Sequence, residues 1–148
     1  MQLCGVVKNR YDDATVLEKP QEILVDVIGI GSGVVDRLRE LNMPVRGVNV
    51  AESPSSKKNY LNLRAELWFK IKDWLQARDC RLPEDDELVR ELASPGYKYT
   101  STGKIKIESK EEMRKRGVKS PDRADALALN MASSATSGGT VSYLGYNF

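Results

Sequence analysis

Residues 22–38 read EILVDVIGIGSGVVDRL, and the rest of the chain is organised around them. The β-favouring run Ile23, Leu24, Val25 ends in an acid, Asp26, and then passes through Gly29, Gly31 and Gly33 into residues with helical spacing. That pattern predicts a strand, a tight turn and a helix, with a carboxylate at the strand's end. In α/β sheets ligands collect where strands finish, because helix N-termini and loop amides converge there. Asp26 is therefore the first candidate for chemistry.

Working outward, residues 21–28 are nearly all apolar, which suits a strand covered on both faces. Residues 34–41 place Val34, Val35, Leu38 and Leu41 at helical intervals, and Asn42 and Pro44 end that helix. Residues 45–50 supply a second strand, completing a parallel strand, helix, strand unit. Upstream, residues 3–7 read as a short strand, 8–13 as a turn holding Asp12 and Asp13, and 14–17 as another strand. Downstream, 51–59 is a polar loop and 60–77 the longest helix, with a stripe of Tyr60, Leu63, Leu67, Ile71, Trp74 and Leu75. Its tryptophans and Phe69 read as core packing.

Residues 84–92 form a shorter helix with acids in its first turn. Residues 97–100 and 104–108 read as a β-hairpin, with Ile105 and Ile107 on one side and Lys104, Lys106 and Glu108 on the other. Residues 110–118 are a charged connector. Ser120-Pro121-Asp122 then opens the last helix with a serine cap and a proline at the first helical position. Asp122 and Asp125 share a face of that helix. Residues 133–148, rich in Ser, Gly and Thr, read as a flexible tail.

The 148 residues suit one ordinary domain. Cys4 and Cys80 fall in no paired pattern, and no secretory signal or membrane-length apolar run is present, so a soluble cytoplasmic protein is expected. There are no histidines, which excludes histidine general bases, Ser/His and Cys/His nucleophiles and histidine-rich zinc sites. The net charge is only +2. Between 104 and 119, however, Lys104, Lys106, Lys110, Arg114, Lys115, Arg116 and Lys119 face only Glu108, Glu111 and Glu112. A local basic surface of this kind suits a polyanion.

Two readings of the glycine turn stand side by side. In one, Gly29, Gly31 and Gly33 cradle a dinucleotide pyrophosphate, and Glu52 lies about where a ribose-binding acid belongs. The spacing is GxGxG rather than GxGxxG, and Asp26 sets a negative charge just before the turn. In the other, Asp26 is a metal ligand partnered by Asp122, with Asp125 assisting. An oxygen-only cluster suits Mg²⁺ or Mn²⁺, and two such ions can activate water and stabilise the leaving oxygen of a phosphodiester.

The blocks DVIGIGSGVVDRL, NLRAEL, RLPEDDELVREL and GKIKIESKEEMRKRGVKSPDRADALAL, in that order, resemble the C-terminal nuclease domain of tailed-phage terminase large subunits. The resemblance runs over residues 21–132. It implies an α/β, ribonuclease H-like domain: a mixed sheet flanked by helices, with a β-hairpin before the C-terminal helix. Residues 1–132 would form that single domain, with 1–20 as a divergent, shortened first-strand region. It also implies a metal-dependent endonuclease that cuts concatemeric viral DNA during packaging, from a phage or prophage and acting in the host cytoplasm.

By position, Asp26, Asp122 and Asp125 would be the catalytic acids and the ligands of Mg²⁺ or Mn²⁺. Lys104, Lys106, Lys110, Arg114 and Lys115 would lie along the backbone of double-stranded DNA. Partners would be a terminase motor domain, a small terminase subunit or the portal, with no membrane involved. The departures are specific. Val7 stands about where the family's first-strand aspartate belongs, followed by Asp12 and Asp13, and no GxxxxGK[ST] loop is present for a motor. A catalytically inactive DNA-binding or packaging-interaction module with the same basic surface is the alternative class.

Overall fold

The computed structural model describes residues 2–16, 18–78 and 80–132. The chain divides into two compact units, one running to Val50 and resuming at Ala132, the other running Ala51–Met131. The expected tail, 133–148, lies outside the described residues. Among the described residues no helix is long and apolar enough to cross a membrane.

The first unit holds α1 (Gln2–Asp13), β1 (Ile23–Asp26), α2 (Gly31–Glu40) and β2 (Val45–Val48). β1 and β2 pair in parallel, with Ile23 opposite Val45 and Asp26 opposite Val48, as the strand, turn, helix and strand pattern predicts. All four β1 residues are half-buried, short of the full coverage their apolar run suggests. α2 buries Val35 and Leu38. It gives way at Asn42, whose φ of 56° is a left-handed conformation that asparagine tolerates better than most residues.

Residues 3–7 and 14–17 were expected as strands. The first lie instead within α1, and residues 14–16 are irregular. Cys4, Val7 and Tyr11 recur at intervals of three and four, a helical face, and they pack against Leu38, Met43, Ile23 and Val25. Val7 is thus a helix packing residue and does not replace a strand aspartate. Asp12, on the same helix, pairs with Lys8 at 2.5 Å.

The second unit holds α3 (Leu63–Gln76), α4 (Asp86–Ala93), β3 (Tyr97–Tyr99), β4 (Ile105–Ile107), α5 (Lys110–Lys115) and α6 (Asp122–Asn130). The hairpin is antiparallel, Tyr97 opposite Ile107 and Tyr99 opposite Ile105, and a parallel bridge adds Tyr60 beside Ile105. α3 packs on α6 and β4, and α4 on α6. Leu67, Ile71, Leu88, Met113 and Leu127 are fully buried. Trp68 is buried as expected, whereas Phe69 is half-buried between the rings of Tyr60 and Tyr97.

The connector expected at 110–118 is a helix over its first six residues. A capping box starts it: Glu112 N donates to Ser109 Oγ at 3.1 Å, and Ser109 N donates to the Glu112 carboxylate at 2.8 Å. The α/β expectation holds. Among the described residues its strands stand as two short ladders, one parallel and one antiparallel.

Candidate active site

The start of α6 sets the position of two candidate acids. Pro121 takes its cap position and no side chain of the local sequence caps it, so the expected serine cap is absent. Ser120 Oγ donates instead to Asp122 Oδ1 at 2.6 Å. The free amides are met from α4: Glu91 Oε2 accepts from Arg123 N at 2.7 Å and Ala124 N at 3.0 Å. Arg123 in turn donates to Asp85 and pairs with Glu87 at 2.8 Å. α4 thereby clamps the first turn of α6.

Asp122 and Asp125 then differ sharply in environment. The Asp122 side chain is 75% exposed and that of Asp125 20%. Asp125 Oδ1 accepts from Trp68 Nε1 at 2.9 Å, Arg64 Nη2 at 3.1 Å and Arg64 Nε at 3.2 Å. Its Oδ2 faces Lys110 Nζ at 3.2 Å, and the same ammonium reaches Asp122 Oδ1 at 3.1 Å. One cation therefore bridges the two carboxylates.

The hydrogen bond from Ser120, and then the bond and charge of Lys110, hold the Asp122 carboxyl below the usual range. Burial pulls the Lys110 ammonium down, but its bonds to Asp122 and Asp125 and their charges outweigh that and leave it above its ordinary value. A paired oxygen donor set already closed on a positive charge fits a hard divalent ion such as Mg²⁺ or Mn²⁺. Among the described residues no group of three or more Asp, Glu, Cys or His side chains is gathered for a metal. Asp26 belongs to the first unit, where its Oδ1 accepts from Ile28 N at 3.0 Å and fastens the turn after β1.

The basic residues expected along DNA all fall in the second unit, with unequal freedom. Lys106 lies 3.9 Å from Glu112, Lys115 pairs with Glu111 at 3.1 Å, and Lys110 is taken by the aspartates. Lys104 and Arg114 make no ion pair with any described residue. Three residues were not singled out from sequence: Arg64, Trp68 and Glu91. One signal was available, since a buried indole needs an acceptor for its N–H.

The hairpin is tied down by acids of unusual strength. Two hydrogen bonds from Arg116, at 2.7 and 2.8 Å, and one from Gly96 N hold Glu108 down to about 2, against an ordinary 4.5. Glu112 is likewise held at about 2, first by Lys98 and then by Ser109. Carboxyls depressed in the folded state stabilise it above the unfolded value and cease to do so as pH falls toward the folded value. The thermal midpoint is therefore expected to stay level from neutral pH to about 5 and to decline between about 4.5 and 2. Circular dichroism melts across that window check it, and Arg116→Gln should remove part of the slope.

No protein-family model matches the chain, and no curated protein does. Solved structures do. The chain is similar to the nuclease domain of the large terminase subunit gp2 of bacterial virus Sf6, at 23% identity over 81% of this chain and 68% of that one, TM-score 0.66. A lysine-to-alanine variant of that domain with manganese and beta-thujaplicinol matches at 22% identity over 81% and 68%, TM-score 0.67. A variant with calcium matches at 22% over 78% and 66%, TM-score 0.64. What the chain shares with them is the fold, which is the ribonuclease H-like one expected.

Proposed function

We propose that this chain is the divalent-metal-dependent endonuclease domain of a phage or prophage DNA-packaging terminase. The observation that carries the reading is the Asp122 and Asp125 pair closed on the Lys110 ammonium. The shared fold, and neighbours determined with manganese and with calcium, support it. A bound Mg²⁺ or Mn²⁺ would supply an activated water and charge neutralisation at a scissile phosphodiester.

The chain's own residues divide the work. Asp122 and Asp125, which hold the Lys110 ammonium, would hold the ion, and Asp26 would serve as a further acid on the strength of the sequence resemblance. Lys104 and Arg114, free of acidic partners among the described residues, take phosphates of duplex DNA, with Lys106, Lys110 and Lys115 adding positive charge beside them. A motor domain, small subunit or portal would bring the DNA.

Nicking of supercoiled plasmid in Mn²⁺ tests this, with Asp26→Ala and Asp122→Ala beside the unaltered protein. The expected result is cleavage that falls to background in each variant. One observation favours the second reading, an inactive DNA-binding module: α1 occupies the segment expected to be the first strand. Folded protein that binds DNA with a steep salt dependence yet leaves the plasmid intact would establish that reading and overturn the nuclease.

A further inference from the structure

Arginine and a carboxylate usually meet fork to fork, with one N–H on each oxygen. Arg64 does otherwise. Its Nε and Nη2 both converge on Asp125 Oδ1, where the Trp68 indole also donates, so three N–H groups crowd one oxygen. Among the described residues the other oxygen meets only the Lys110 ammonium, on a side chain 50% exposed. Arg64 and Trp68 are themselves fixed. They stand one turn apart on α3, the guanidinium lies 5.8 Å from the indole ring, and Arg64 Nη1 donates to the Glu108 carbonyl at 2.8 Å.

We propose that Arg64 and Trp68 are positioning residues: they commit Asp125 Oδ1 to the protein and leave Oδ2 to share a divalent cation with Asp122. The inference rests on the nuclease reading above. It assigns α3 a task beyond filling the core, since its three donors fall on one oxygen of Asp125 and none on the other. Partners that orient a ligand in this way typically account for about 10–100-fold in metal affinity.

Trp68 is also a reporter of the site. In a Trp74→Phe background it is the remaining tryptophan, and exchange of Lys110 for a divalent ion changes the positive charge beside the carboxylate that its N–H touches. Mg²⁺ titration of that protein is expected to shift the emission saturably, and Asp122→Asn is expected to abolish the shift. Calorimetric Mg²⁺ titration of Arg64→Lys, which keeps the charge and loses the fork, should show affinity lowered about tenfold or more. Trp68→Phe, which keeps a ring and loses the donor, should do the same, and circular dichroism confirms that both are folded. Unaltered affinity in a folded Arg64→Lys overturns the positioning role and leaves the nuclease reading intact. Absence of any Mg²⁺ binding sensitive to Asp122→Asn overturns both.

Discussion

Asp125→Ala is expected to cost about 2–3 kcal/mol of folding stability, while Asp122→Ala, three residues away in the same motif, changes stability by less than about 0.5 kcal/mol. The difference follows from what each carboxylate leaves behind. Without Asp125, the Arg64 fork (15% exposed) and the buried Trp68 N–H lose their acceptor. The cost stops short of that for a fully buried pair because water still reaches part of the site. Asp122 is 75% exposed, and its partners Lys110 and Ser120 turn to solvent when it goes. Asp125→Asn retains an acceptor for the indole and should fall between the two. Urea denaturation of the three variants measures this. Equal losses at 122 and 125 would contradict the asymmetry described for the site.

The second large effect lies in the first unit. Gly31→Ala is expected to destabilise the protein by about 3 kcal/mol, because a β-carbon there would lie 1.7 Å from the carbonyl oxygen of Asp26 and 2.8 Å from its carbonyl carbon. Those are backbone atoms, so α2 would have to lift away from the end of β1. Gly33→Ala should be neutral or stabilise by up to about 1 kcal/mol, since nothing lies within 4 Å of its missing β-carbon and alanine is the better helix former. Thermal and urea midpoints of the two single variants check the contrast. It also bears on the two readings of the glycines. In a dinucleotide turn the second glycine makes room for a pyrophosphate and the third for close packing of helix on strand. Here the second makes room for the chain's own carbonyl, and the third makes room for nothing.

What could be read from sequence had a period and a stop. The β1, α2, β2 unit has an apolar run, glycines at the turn and Asn42 with Pro44 at the helix end. The hairpin has alternating Ile105, Lys106 and Ile107 beside a Ser-Thr-Gly turn. α1 lacked that clarity. Residues Leu3 to Val7 make an apolar run too short to separate strand from helix, and what decides is the partner surface of Leu38 and Met43, far along the chain. For α5 the Ser109 and Glu112 spacing was present, but the density of charge around it read as a connector.

The same division runs through the candidate site. Asp122 and Asp125 were legible because they stand three apart on an otherwise apolar helix. Arg64, Trp68 and Glu91 were not, because their roles exist only once α3 and α4 are laid against α6. A serine beside a proline is a sound local prediction for a cap, and Glu91, 32 residues before the Arg123 amide it meets, supplied it instead.

That substitution has an electrical side. The opening turn of a helix ordinarily draws phosphate, since its unpaired amides and its dipole are both positive there. At α6 the Glu91 carboxylate already occupies those amides, with Asp122 and Asp125 beside it. That turn is therefore closed to a bare anion, and on the nuclease reading proposed above a divalent cation would have to reach Asp122 and Asp125 before a phosphodiester could approach them.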